Sequence, residues 1–234
     1  MTPHQIQHFR QSGYLKLGVL PAERVSQLKA AIQHDIDHEV EPVVRNVEGH
    51  VVRISNLVDR DPVFLETASC DQVLNPLEAV MGPNIHLIKN RHNHATLRTA
   101  SETYDGLHRD VRQWSRTIFT IIFYLEETTV ENGCTWFVPG SHHFPGVNGK
   151  LTDTDWTDAI SEQAIPAPMP VGGMLLIDSM LMHRAGQNTT QGTRTSMTIG
   201  YHSVDEISDV RDPKRLLVWG VKAYGGNDKG YQRL

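Results

Sequence analysis

The stretch GGMLLIDSMLMHRAGQNTTQGTRTSMTIGY, residues 172–201, is built from three kinds of text. GGMLLID is an apolar run of strand length, QNTTQG is a cluster of turn formers, and SMTIGY resumes a β-favouring pattern. The reading is a strand, a turn carrying His183, a bend, and a second strand entered through Arg194. Similar short β-favouring segments occur elsewhere: HVVRISNLV, NIHLIKNRHNH, RTIFTIIFYLE, CTWFVPG and, overlapping the end of the stretch, SMTIGYHSV. Polar inserts separate them, not helical patterns of about 10–15 residues, which disfavours a doubly wound parallel sheet and favours a sandwich or barrel.

Two helices precede the strands. Thr2-Pro3 is an N-cap followed by a first-turn proline, and Gly13 marks a stop, predicting a helix over 3–12. Pro21 opens a second helix in which Val25, Leu28, Ile32 and Ile36 form one stripe, with Glu23, Lys29 and Asp35 expected outside. Helices first and strands after imply a β core with a helical flank. The expectation is one domain over 1–234, helical over about 1–40 and β over about 50–205. Two inserts, 144–162 and the tail after Trp219, read as mobile connections or as lids.

Composition narrows the partners. At 39% hydrophobic and 21% charged, the chain has enough apolar material for a sizeable core. A net charge of −5 without a Lys/Arg cluster argues against nucleic acid, leaving a small-molecule substrate as the expected partner. IFTIIFYL and MLLI fall well short of the ~20 residues that cross a bilayer, so no membrane partner is expected. Two cysteines cannot make a disulfide framework, and MTPHQIQHFR lacks the apolar core of a signal peptide; a cytoplasmic address is expected.

The chemistry centres on DGLHRDVRQW, residues 105–114. A His-x-Asp triplet arises by chance roughly 0.8 times in a chain of this composition, so His108 and Asp110 need partners to mean anything. On a strand, residues i and i+2 share a side, and the pair can converge on one ion. His183 is the candidate third ligand: two imidazoles and one carboxylate leave three cis positions open, as non-haem Fe(II) oxygenases require. Arg194 lies 11 residues after His183. A hairpin bent at QNTTQG would return it alongside the histidine's strand, where a guanidinium and a metal can share one dicarboxylate.

In order, GPNIHLIKNRHNH, LHRD, ENGCTWFVPGSHH and LMHRAGQNTTQGTR resemble the phytanoyl-CoA dioxygenase family of Fe(II)/2-oxoglutarate-dependent oxygenases, over about Thr2 to Tyr201. The resemblance implies a mainly β fold with flanking helices, a double-stranded β-helix or jelly-roll, cupin-like barrel. It implies Fe(II), 2-oxoglutarate and O2 as cofactors. His108, Asp110 and His183 would be the iron ligands, Arg194 would hold the distal 2-oxoglutarate carboxylate, and Ser196 would be a second contact.

Thr120 is a further candidate cosubstrate contact or simply a strand-forming threonine, and Lys89 and Asn93 are cosubstrate contacts or a solvated edge. His92, Arg112 and Trp114 are candidate substrate contacts, Trp114 alternatively a core residue. His92 and His94 lack the glutamate that a cupin-type metal pair would need. His142 and His143 read as exposed turn residues, and Asn132-Gly133 as the turn of a structural hairpin.

The implied activity is oxidation of an unactivated C–H bond of a small polar or secondary-metabolite substrate. Hydroxylation and oxidative cyclisation, on a sugar moiety for instance, both fit antibiotic or natural-product biosynthesis. Asp110 disfavours halogenation, because related halogenases replace that carboxylate with a small residue. Acyl-CoA hydroxylation is an alternative, disfavoured by the lack of a basic patch for CoA phosphates; a non-catalytic β-barrel ligand sensor is another.

Overall fold

The computed structural model describes residues 1–90, 92–100, 106–110, 118–144, 159–204 and 214–220. Helix α1 (Pro3–Ser12) starts with a full capping box: Gln5 N donates to Thr2 Oγ1 at 3.2 Å, and Thr2 N to Gln5 Oε1 at 2.8 Å. It stops at Gly13, whose φ of +80° is the left-handed turn a helix end requires. Strand β1 (Tyr14–Val19) and helix α2 (Ala22–Asp37) follow, with Val25, Leu28 and Ile32 buried as the stripe predicted.

Asp35 departs from expectation. It is buried, because Arg60 reaches it: Nη1 donates to Asp35 Oδ2 (2.9 Å) and Val40 O (3.0 Å), Nη2 to Pro42 O (3.0 Å), and Nε to Ser55 O (2.8 Å). A buried carboxylate is tolerable when paired and hydrogen-bonded in this way. No local periodicity could announce a partner 25 residues away.

After strands β2 (Val43–Arg45) and β3 (Val51–Ser55), two further helices interrupt what reads in the sequence as a β region: α3 (Pro62–Ala68) and α4 (Asp71–Met81). Asp61 caps α3 by accepting from Val63 N at 2.9 Å. In α4, Val73, Leu74, Leu77 and Val80 are buried despite Pro76 inside the helix, which masks its periodicity. The remaining strands are β4 (Ile85–Ile88), β5 (Asn93–Arg98), β6 (Ile118–Tyr124), β7 (Thr135–Phe137), β8 (Ile165–Ala167), β9 (Gly173–Asp178), β10 (His183–Ala185), β11 (Arg194–Ser203) and β12 (Arg215–Trp219). NIHLIKNRHNH is thus two strands, β4 and the start of β5, parted near His92, whose φ is +49°.

The strands form two antiparallel sheets, the double-stranded β-helix expected. The larger runs β1-β9-β6-β11-β5-β3-β2, with β4 on the far half of β11 and β12 on β4; the smaller is β10-β7-β8. Directly opposed residues share a face, so the ladders sort the large sheet's side chains. Phe119, Ile121 and Phe123 of β6, and Met197, Ile199 and Tyr201 of β11, pack with Phe9, Leu28, Phe64 and Leu77 of the helices. Ile122, Tyr124, Leu175 and Ile177 face the other way and pack with Phe137 and Ala167 of the small sheet. Among the described residues, no helix is long and apolar enough to cross a membrane.

The bend at QNTTQG corrects one expectation. His183 and Arg194 do not share a hairpin: β10 pairs with β7, whereas β11 pairs with β5, β6 and β4. The bend carries the chain from the small sheet to the large one. It is pinned by Asn188, whose Nδ2 donates to Arg98 O (3.0 Å) and Gly192 O (2.8 Å). The Asn132-Gly133 turn abuts it. Gly133 has φ +83°, and a Cβ there would lie 2.5 Å from Gly186 O, so only glycine lets the two backbones approach.

Candidate metal centre

β9 ends at Asp178, whose Oδ1 accepts from Met180 N at 2.8 Å and closes an Asx-turn. The turn delivers His183 into β10. Opposite it, His108 and His183 exchange both backbone bonds, N to O at 2.9 Å each way, which seats the two rings side by side with centroids 4.7 Å apart. Asp110 N donates to Ser179 O at 3.0 Å, so Asp110 is held at the same turn. One ligand atom from each of His108, Asp110 and His183 then lies within 4.8 Å of the others, and Asp110 Oδ1 is 3.5 Å from His183 Nε2.

The imidazole tautomers follow from their partners. His108 Nδ1 lies 3.0 Å from Gly106 O and His183 Nδ1 2.8 Å from Leu181 O; a carbonyl only accepts, so both Nδ1 atoms carry the proton. Each Nε2 then carries the lone pair with which an imidazole ligates a metal, the ring oriented from behind as in ligating histidines.

Arg194 and Ser196 project from β11 into the space between the sheets, on the face of Tyr124. Arg194 is 3% exposed, and its Nε has no hydrogen-bond partner among the described residues. Burial lowers its pKa, partly countered by Tyr124. Glu126 is already committed, to Lys29 (3.1 Å) and to Thr195 N (2.5 Å). A buried guanidinium without a paired carboxylate is costly, and the arrangement suits an incoming carboxylate. Two observations thus fit iron and 2-oxoglutarate: the His-Asp-His donor set and this buried cation.

The other sequence candidates divide. His92 belongs with the centre, its Nε2 3.5 Å from Asp110 Oδ1. Thr120 is buried, but its hydroxyl engages Asp110 Oδ2 (3.4 Å) and Ser179 Oγ (2.9 Å). Asn93 opposes Ile199 and so sits on the helix-packed face of the sheet, accepting from Val58 N (3.0 Å) and donating to Lys89 O (3.0 Å). Lys89 pairs with Asp59. Neither is directed at the ligands, because a one-residue change of register selects the other face. Arg112, Trp114 and most of the 144–162 insert lie outside the described residues, as does the tail beyond Gly220.

His142 and His143 each donate from Nε2 to Arg10 O, at 3.2 and 3.1 Å, and so satisfy the end of α1. Two neighbours escaped the sequence reading. Arg109, between His108 and Asp110, donates from Nη2 to Ser141 O (2.8 Å) and Phe144 O (2.7 Å). His94 accepts from Arg53 Nη2 at 3.1 Å, and its pKa is lowered to about 3 by burial first and then by Arg53. The HNH spacing pointed at His94, but only the β3–β5 ladder brings Arg53 to it.

The profile of the family "Phytanoyl-CoA dioxygenase (PhyH)" matches residues 9–196. A Danio rerio phytanoyl-CoA dioxygenase domain-containing protein 1 is 32% identical over 105 residues, spanning 40% of this chain and 35% of that protein. The dioxygenase olcK of Penicillium canescens is 32% identical over 117 residues, 44% of this chain and 35% of its own. The matches therefore span about a third of those relatives' length.

Among solved structures, EctD from S. alaskensis with bound Fe superposes with a TM-score of 0.77 at 18% identity, covering 96% of this chain and 88% of its own. The epimerase SnoN, in complex with Fe3+, alpha ketoglutarate and nogalamycin RO, gives 0.72 at 20% identity, covering 90% and 91%. The donor set lies inside the family match, and that match covers most of the sequence: this chain belongs to the phytanoyl-CoA dioxygenase family of Fe(II)/2-oxoglutarate-dependent oxygenases.

Proposed function

We propose that this protein oxidises an unactivated C–H bond of a small polar or secondary-metabolite substrate, as an Fe(II)/2-oxoglutarate-dependent dioxygenase of natural-product biosynthesis. The observation that carries the reading is Arg194, a buried guanidinium whose Nε has no partner among the described residues, in a barrel that also gathers His108, Asp110 and His183. Bound iron, 2-oxoglutarate and O2 would supply the oxidising power, with the cosubstrate converted to succinate and CO2. The chain's residues do the rest. His108, Asp110 and His183 would hold the iron, and Arg194, with Ser196 beside it, would neutralise the far carboxylate of 2-oxoglutarate. Ile122, Leu175 and Ile177 give the interior an apolar wall that keeps water from competing.

A polar substrate is supported by the continuation of that same sheet face onto β11, β5 and β3. Ser55 faces His94, which faces Thr198, and Arg53 faces Thr96, which faces Ser196. Arg53 only donates, so His94 accepts at Nδ1 and carries its proton on Nε2, a fixed donor for a substrate oxygen. SnoN, from nogalamycin biosynthesis, favours a natural-product substrate, with hydroxylation and cyclisation both open to the same site.

The test is anaerobic addition of Fe(II) and 2-oxoglutarate. The expected result is a weak visible absorption that neither Fe(II) nor 2-oxoglutarate gives alone, followed by succinate on admitting O2. No absorption and no succinate would leave a ligand-binding barrel instead.

A further inference from the structure

The two oxygens of Asp110 meet different surroundings. Oδ1 faces His183 Nε2 and His92 Nε2, each at 3.5 Å, whereas Oδ2 lies 3.4 Å from Thr120 Oγ1. Thr120 Oγ1 is in turn 2.9 Å from Ser179 Oγ, and both hydroxyls belong to fully buried residues. An ionised carboxylate only accepts, so the proton order is determined: Thr120 donates to Asp110, and Ser179 donates to Thr120. Ser179 also grips the backbone. Its carbonyl accepts from Asp110 N at 3.0 Å, and its own N donates to Ile118 O at 3.0 Å, two residues before Thr120 on β6. One serine therefore fixes both the main chain of the ligand and the hydroxyl that holds its side chain.

We infer that Thr120 and Ser179 are positioning residues that reserve Asp110 Oδ2 and so present only Oδ1 to the metal. The inference rests on the reading of His108, Asp110 and His183 as a metal centre. A carboxylate free to turn can chelate through both oxygens, which would occupy one of the three positions a facial set must leave open. A hydroxyl on the second oxygen opposes that, as ligating carboxylates commonly require. The proposal assigns Thr120 to the ligand and not to the cosubstrate.

Mn(II) is the probe, its binding followed by electron paramagnetic resonance first without and then with 2-oxoglutarate. Thr120→Val should weaken Mn(II) binding about 10- to 100-fold in the absence of cosubstrate. Ser179→Ala should weaken it by a smaller factor, and Thr120→Ser should restore affinity to within about threefold of wild type. 2-Oxoglutarate affinity at saturating metal should change little. The assignment is overturned if Thr120→Val and Ser179→Ala bind Mn(II) like wild type, whether or not 2-oxoglutarate affinity falls. Should Thr120→Val fail to fold, Ser179→Ala decides alone. Failure of the wild-type protein to bind Mn(II) would instead remove the metal reading on which the inference rests.

Discussion

Met197, Ile199 and Tyr201 alternate along β11 with Arg194, Ser196 and Thr198, and each set looks out on a different medium. The first set is buried in the apolar layer under the helices, where Tyr201 still finds Ala68 O for its hydroxyl at 2.7 Å. The second is also buried but faces between the sheets, and it carries the guanidinium of Arg194. One face is finished by the protein alone; on the other, Arg194 Nε finds no partner among the described residues. Burial by itself does not mark core residues, and the polar side of a buried strand is where to look for a ligand.

Four measurements would sharpen or break this division. The largest effect is expected from Asp110→Ala, which should abolish succinate formation while the circular dichroism spectrum stays that of wild type; an undiminished rate would remove the iron reading. Next, Ile199→Ala on the helix-packed face should cost about 2–5 kcal/mol in urea denaturation with 2-oxoglutarate affinity unchanged, and a matching loss of affinity would show that the faces are not independent. Arg194→Met should do the reverse. It should weaken 2-oxoglutarate binding by about 10- to 100-fold, the loss of a charged hydrogen-bonded contact. In the cosubstrate-free protein it should raise the melting temperature, because a buried unpaired charge is gone.

The smallest effect concerns pH. His94 has a pKa lowered to about 3 in the folded chain, against 6.5 ordinarily. Between these values the unfolded chain holds a proton that the folded chain does not, so this contribution is present above about pH 6.5 and lost as the pH falls toward 3. The slope is at most about 1.4 kcal/mol per pH unit. His94→Asn should flatten the stability profile between pH 6.5 and 5 by about one proton, and an unchanged slope would show that His94 titrates normally.

Much of the architecture could be read from the chain because its signals are local. Thr2, Pro3 and Gly13 bracket α1 by capping chemistry, and the i, i+3, i+4 stripe of α2 needs no tertiary information. Helices α3 and α4 escaped because α3 is only seven residues long and Pro76 sits inside α4. At the site, the grouping of His108, Asp110 and His183 was recoverable from side-chain chemistry and the order of motifs. Where the chain goes after His183 was not, since hairpin and sheet crossing share the same turn residues. Thr120 and Asn93 show the remaining difficulty. Both are polar residues in strands, and only the ladder partners, Gly200 for one and Ile199 for the other, reveal which side each takes.

The clasp of Arg60 on Asp35 bears on how such a protein can change over evolutionary time. Arg60 also ends three carbonyls, those of Val40, Pro42 and Ser55, so lysine could replace its charge but not its fork. Losing either partner strands the other below the surface, whereas losing both to apolar residues of similar volume can be nearly neutral. Among relatives, positions 35 and 60 are therefore expected to change as a pair. Because Ser55 belongs to the strand that carries Arg53, such a paired exchange offers a route by which drift in the helical flank reaches the polar wall of the pocket without touching a ligand.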